Sequence, residues 1–388
     1  MRREAFTNLY GTYAKFKNTL AATFSANVKK DAYMAKVKKF SSTMDMRLFG
    51  SNIPKEVYTN LITSVHDNLP LMHRYISLRK KFLKLDELHM YDLYTPIVLD
   101  ADKKIDFLEA KDLVYKGLEP LGEDYRNILL EGFNNRWIDV YENKGKRSGA
   151  YSWGAYGTHP YVLLNYQGNL NNMFTLAHEM GHALHSYYSD GALPITYASY
   201  KIFVAEVAST CNEALLMEYL LANTKDKKSR AYLINYFLEQ FRGTLFRQTM
   251  FAEFEMLTHQ MAQDGEALTA STLCKIYGEL VAKYHGEDIV IDPEIELEWA
   301  RIPHFYTSFY VYQYATGYSA AIALSRKILE EGKSAADTYI NKFLKGGSSN
   351  YPIELLKAAG VDMSTKEPVN DALQLFKTLL DELEELME

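Results

Sequence analysis

Apolar side chains recur at three- and four-residue steps along most of this 388-residue chain. Near its end Ala372, Phe376, Leu379, Leu383 and Leu386 line one face while acidic residues occupy the other, the mark of an amphipathic helix. The same period runs through 4–40, 54–90, 106–135, 205–222, 229–262 and 268–285. Strand signals are confined to Tyr151–Tyr156 and Tyr161–Asn165. Gly, Pro, Asn and Ser break the pattern at Phe49–Pro54, Lys144–Gly149, Asp190–Pro194, Asp288–Pro293 and Gly346–Pro352. None of these breaks is long enough for a linker, and no repeat is found. The pattern predicts one mainly α domain with a small β-ribbon before residue 170.

Composition narrows the class without changing that picture. A chain 47% hydrophobic and 24% charged is that of a soluble globular protein large enough for a sizeable core. Its 43 basic and 49 acidic side chains give a formal charge of −6, no footprint for nucleic acid. Cys211 and Cys274 make no disulfide framework and suit a reducing compartment. The start, MRREAFTNLY, lacks an apolar signal core, so a cytoplasmic location is expected. From Arg301 to Arg326 no charged residue intervenes, a run long enough to span a bilayer. Pro303, His304, Gln313 and five tyrosines make it too polar for hydrocarbon, so no membrane segment is expected.

The strongest chemical signal is His178-Glu179-Met180-Gly181-His182, within FTLAHEMGHALHSYY. Asn171 or Asn172 can cap a helix here, and apolar neighbours flank the motif. On a helix His178 and His182 project from one face and can ligate a single Zn²⁺, with Glu179 placed to hold the ion's water. Gly181 lowers helix propensity by about 1 kcal/mol relative to Ala, an odd choice unless something approaches that face closely.

Two zinc classes ask for different partners. The metzincin pattern needs Gly and His at positions that hold His185 and Tyr188 here, so it fails. A thermolysin-like site needs a glutamate from a second helix. In IFVAEVASTCNEALLMEYL, Glu206 interrupts Phe203, Val204, Ala205, Val207 and Ala208, a setting expensive for a carboxylate unless it is paired or on metal. Glu206 is the expected third ligand. Glu213, seven residues on, is either an orienting partner for a ligand histidine or an ordinary surface acid. A di-iron bundle would need a second Glu-x-x-His element, and none of the ten histidines supplies one. His185 reads as packed rather than ligating.

Hydrolysis of an amide needs groups that stabilise the oxyanion. The run RIPHFYTSFYVYQYATGYSAA offers His304, Tyr306, Tyr310, Tyr312 and Tyr314. With 30 tyrosines against 19 phenylalanines, hydroxyls stand where plain aromatics would serve packing. Core packing is the competing reading for each tyrosine. The stretch HPYVLLNY, His159–Tyr166, precedes the metal helix and is either a structural hairpin or an exposed strand edge for an extended peptide.

These motifs resemble those of the thimet-oligopeptidase-like M3 metallopeptidases, and within them the oligoendopeptidase F subgroup. FTLAHEMGHALHSYY and FVAEVASTCNEALL resemble the family's two metal-binding segments. LFRQTMFAEFE (Leu245–Glu255), RIPHFYTSFYVYQYATG and KGGSSNYPIELLKAAGVD resemble further blocks in the expected order. The resemblance implies zinc on His178, His182 and Glu206, Glu179 as general base, and His304 with tyrosines of the following run, taken as Tyr310 and Tyr312, at the oxyanion. It also implies an all-α, two-lobed ellipsoid whose deep channel admits short unstructured peptides. Family members usually carry a substantial region ahead of the point where this sequence begins. Residues 1–388 are therefore expected to form the catalytic domain, with that region absent or truncated.

The reading is a cytoplasmic zinc endopeptidase with one Zn²⁺ per chain, acting on oligopeptides. Two alternatives stand beside it: a catalytically silent peptide-binding protein, and a metallocarboxypeptidase sharing the HExGH helix.

Overall fold

A computed structural model describes residues 1–98 and 104–388. Helices carry most of it. In chain order they are α1 (Arg2–Ala14), α2 (Lys17–Val37), α3 (Thr43–Phe49), α4 (Lys55–Asp67), α5 (Leu69–Leu83), α6 (Phe107–Gly117) and α7 (Glu123–Asn134). Three short strands follow, β1 (Ile138–Asp139), β2 (Tyr151–Trp153) and β3 (Tyr161–Leu163). Then come α8 (Leu170–Ala192), α9 (Ile195–Ala198), α10 (Ile202–Asn223), α11 (Lys227–Gln240), α12 (Arg247–Gln263) and α13 (Ala270–His285). The chain finishes with α14 (Tyr312–Glu331), α15 (Lys333–Thr338), α16 (Pro352–Ala358) and α17 (Glu367–Met387).

The periodic segments contain breaks that periodicity does not mark. The segment 54–90 divides at Asn68, because Pro70 sits in the first turn of α5 and has no N–H for a helix running through it. Between α11 and α12 the backbone widens into a π-turn over Phe241–Phe246. Caps fix several starts: the side chains of Ser42, Asp106 and Thr269 accept the backbone N–H of Asp45, Glu109 and Thr272.

The chain divides into two compact units. The first comprises Met1–Ile97, Leu238–Ala315 and Leu373–Glu388. Its core holds an aromatic cluster in which Phe24 of α2 meets Phe254 of α12, Trp299 and Phe305 at ring centroid distances of 6.0, 6.1 and 6.4 Å. Beside it the buried Glu298 carboxylate accepts from Tyr277 at 2.5 Å, Arg247 at 2.8 Å, Tyr10 at 3.3 Å and also Arg301.

The second unit comprises Val98–Phe237 and Thr316–Ala372. It is built on the pairing of α8 with α10, against which α6 also packs. Gly181 explains how close that pairing is. A Cβ there would lie 2.6 Å from Ser209 Cα and 2.8 Å from the Ala208 carbonyl oxygen, so only glycine lets the α10 backbone approach. The three strands form a sheet of order β1-β3-β2, with β3 parallel to β1 and antiparallel to β2. In the antiparallel pair Tyr151 faces Leu163, Ser152 faces Val162 and Trp153 faces Tyr161. Val162 turns inward and is buried, whereas Tyr151, Trp153 and Tyr161 are exposed. Among the described residues no helix is long and apolar enough to cross a membrane. The run from Arg301 divides into a short 3-10 turn (Pro303–Tyr306), an irregular stretch and α14.

Candidate metal centre

The N-terminus of α8 is capped by Asn169, whose side chain accepts the Asn172 N–H at 2.9 Å. Asn172 in turn accepts the Gln167 N–H at 2.8 Å, so the cap lies two residues ahead of the position expected from sequence. From this fixed start, two further turns bring His178 and His182 to the side facing α10. Their rings stand 4.8 Å apart at 86°.

Glu206, in the second turn of α10, meets both. Its Oε2 lies 3.4 Å from His178 Nε2 and 3.6 Å from His182 Nε2. One ligand atom from each of the three residues falls within 4.8 Å of the others. A tetrahedral ion that binds His nitrogen and carboxylate oxygen at about 2.0–2.1 Å spaces its ligands about 3.3 Å apart, so the donor set and its spacing fit zinc. A Cβ at Gly317 would lie 3.6 Å from Glu206 Cβ, so α14 seats against α10 at the same residue.

The surrounding groups orient these three. Glu213, two turns beyond Glu206, lies 2.5 Å from His178 Nδ1. With the proton on Nδ1 donated to that carboxylate, His178 turns the lone pair of Nε2 toward the ligand position. Asn212 donates to the Ala177 carbonyl at 3.1 Å and accepts from Tyr125 at 2.9 Å, tying α10 to α8 beside the first histidine. Burial alone would depress His178, but the Glu213 charge and the Glu206 and Glu213 hydrogen bonds raise it well above the ordinary imidazole range. Burial alone would raise Glu206, and the two histidines instead hold it far below the usual carboxylate range. Both shifts record the attraction between the His178 imidazole and the carboxylates that face it.

Glu179 behaves differently. It is 7% exposed, its pKa is raised chiefly by burial, and its Oε2 has no hydrogen-bond partner. A buried carboxylate oxygen with nothing to accept from is costly and marks a place where a polar ligand belongs. His185, one turn past His182, is buried against Tyr200 at 3.7 Å, and burial lowers it to about 3. It is a neutral packing residue.

His304, Tyr310 and Tyr312 belong to the first unit. There His304 stacks on Tyr310 at 6.0 Å and 9°, and Tyr314 closes the group with its hydroxyl 3.4 Å from His304 Nε2. His304 is exposed, and Tyr310 and Tyr314 are half-buried. Tyr312 is not part of this group. It is 3% exposed, with its ring 5.0 Å from that of the fully buried Tyr58. The rings of Tyr310, ahead of α14, and Tyr314, in its first turn, lie 5.5 Å apart, while Tyr312 turns into the core.

The ribbon differs from the edge considered for His159–Tyr166. Its strand β3 is paired on both sides, so it has no free edge, and the open edge of the antiparallel pair belongs to β2. Immediately after β2 the chain touches the metal helix. A Cβ at Gly154 would lie 2.6 Å from Ser186 Cβ, one turn beyond His182.

A helix carrying HExxH, a glutamate from the next long helix and a third carboxylate behind the first histidine make up a donor set suited to a metallopeptidase. Over residues 1–375 the chain matches the model of peptidase family M3, and it belongs to that family of metallopeptidases. It is 60% identical over 387 residues to oligopeptidase PepF of Bacillus subtilis, covering 100% of this chain and 58% of that protein. It is 44% identical over 388 residues to the chromosomal oligoendopeptidase F of Lactococcus lactis subsp. cremoris, covering 100% of this chain and 64% of that protein. The crystal structure of oligoendopeptidase F from Enterococcus faecium superposes with a TM-score of 0.81 at 42% identity, over 99% of this chain and 63% of that one. The chain thus spans about three fifths of the length of these relatives.

Proposed function

We propose that this protein is a zinc-dependent endopeptidase that hydrolyses short oligopeptides in the cytoplasm. The observation that carries the reading is the convergence of His178, His182 and Glu206 around one point, with the unpartnered carboxyl oxygen of Glu179 on the same helix. When bound by those three ligands, zinc supplies Lewis acidity, polarising the scissile carbonyl and lowering the pKa of water. Glu179 takes a proton from the attacking water and delivers it to the leaving amine. Its burial suits that work, because a carboxyl raised toward neutrality is a stronger base and still exchanges its proton. Glu213 holds the His178 imidazole in one tautomer.

His304 and Tyr310 are assigned as donors to the carbonyl oxygen as it gains charge. Support for this comes from their chemistry, their partial exposure and the order of the motifs. The burial of Tyr312 favours Tyr310 over it, and the place of Tyr314 against His304 makes it the next candidate. The open edge of β2 offers backbone groups to an extended peptide, which gives affinity with little sequence preference.

Metal analysis together with an internally quenched peptide tests this reading. One zinc per chain, cleavage within the peptide and loss of activity to a chelator are expected. Two metals per chain, or activity indifferent to chelation, would overturn it. Trimming from the C-terminus alone would point to a carboxypeptidase, and zinc-loaded protein that binds but never cuts would point to a peptide-binding module.

A further inference from the structure

The block Leu245–Glu255 has no part in the chemistry above, yet its last residue is among the most costly in the molecule. Glu255 of α12 is fully buried, and its Oε2 has no hydrogen-bond partner. An unpaired carboxyl oxygen in the core works against stability. Its other oxygen shows what the carboxyl does. Oε1 accepts the backbone N–H of Phe309 at 2.9 Å. The residue held is the one immediately before Tyr310.

The turn so held is one the chain resists. Phe309 has φ +56°, a left-handed conformation that a bulky non-glycine residue adopts only under strain. Its ring is enclosed between Tyr58 at 5.7 Å and His259 at 4.8 Å. The residue before it is also tied to a buried acid, since the Ser308 hydroxyl donates at 2.6 Å to Asp31, whose same oxygen receives Arg47 at 2.7 Å. Helices α2 and α12 therefore grip a strained turn of four residues from two directions, and only Tyr310 within it is left half-exposed, stacked on His304.

We infer that Glu255 is a positioning residue for the reaction, fixing the left-handed turn at Phe309 so that Tyr310 is presented beside His304 as a ready hydrogen-bond donor. This rests on the assignment of Tyr310 and His304 as oxyanion donors. A donor aimed in advance needs no reorganisation when charge develops, and a displacement of about 1 Å costs up to roughly 10²-fold in rate. Burial pushes the Glu255 carboxyl well above the usual carboxylate range, toward the neutral acid, whose carbonyl oxygen accepts as an amide oxygen does. Glutamine is therefore its isosteric replacement, whereas methionine keeps the bulk and removes the acceptor.

The test compares Glu255→Gln, Glu255→Met, Glu255→Asp and Tyr310→Phe, each checked for zinc content and folded circular dichroism. Glu255→Met is expected to lower kcat by roughly 10- to 100-fold with KM within about twofold. It should also remove hydrogen-exchange protection from the peptide spanning 304–314. Glu255→Gln should keep both the rate and the protection. Glu255→Asp, which withdraws the acceptor by one methylene and remains the probe should methionine not fold, should behave like methionine. Combining Glu255→Met with Tyr310→Phe should slow the enzyme no further than the slower single variant. Retained protection and kcat in both the Met and Asp variants would overturn the inference while leaving the donor assignment standing. A normal kcat in Tyr310→Phe would instead remove the donor assignment, whatever Glu255 does to the backbone.

Discussion

Glu206 and Glu298 are both carboxylates held below their ordinary pKa inside a helical unit, yet their partners differ in kind. Burial alone would raise Glu298, but Arg247, followed by Arg301 and Tyr277, brings it down to about 2. Guanidinium groups stay protonated at any accessible pH, so this acid carries its countercharge within the chain. Glu206 faces ring nitrogens instead. When His178 is neutral with its Nδ1 proton directed at Glu213, the Nε2 that faces Glu206 at 3.4 Å is an acceptor, so either a proton or a metal ion must stand between the two. The sealed acid is complete as it folds; on the proposed reading the open one is completed by an ion from outside. A buried charge thus reads as structural or functional according to whether its neighbours can give up their protons.

The largest effect should come from the open side. Glu179→Gln should lower kcat by about 10³-fold or more, since base and proton carrier are lost together. Zinc content should not change, and thermal stability should hold or rise because an unpartnered buried carboxylate is neutralised. Loss of zinc, or substantial residual turnover, would show that Glu179 has another role. On the sealed side the pattern should invert. Glu298→Ala leaves Arg247 and Arg301 without their carboxylate, at a cost of about 3–5 kcal/mol in urea unfolding, while the folded variant retains its zinc.

The same acid sets a pH dependence of known sign. Its folded pKa of about 2 lies below the ordinary 4.5, so its stabilisation is complete above pH 4.5 and fades as pH falls through 2. The gap corresponds to roughly 3 kcal/mol. Acid unfolding of Glu298→Gln should therefore be shallower across that window, and an unchanged slope would mean the network does not anchor the first unit. The smallest effect is expected at Glu213, one step removed from the metal. Glu213→Gln should weaken zinc by roughly 10- to 100-fold, as measured against a competing chelator, and by less than Glu206→Gln. Equal losses in the two variants would place Glu213 on the metal.

Much of this molecule was legible in its sequence because the signals are local. The i, i+4 spacing puts His178 and His182 on one face of any helix, and the apolar period gives most helical segments without reference to their neighbours. Legibility failed where a choice depended on contacts. Nothing in the spacing says that Asn169 rather than Asn171 caps α8, or that β3 is paired on both sides and β2 is the open edge of the antiparallel pair. Strand β1 escaped notice because two residues carry no alternation, and it exists only by pairing with β3. Tyr310, Tyr312 and Tyr314 are chemically alike in the sequence, and the direction of each ring separates the half-buried pair from the fully buried one.

The sequence by itself determined the residue types of the HExxH motif, the shared face of the two histidines and the need for close approach at Gly181, since covalent geometry and helical period act within a few residues. Only the tertiary structure decided which backbone uses that approach, how near Glu206 comes to both imidazoles, and which acid holds the turn at Phe309. Those outcomes join residues 24 to 54 positions apart, and their relative placement is fixed by packing and desolvation over whole helices rather than by any local preference.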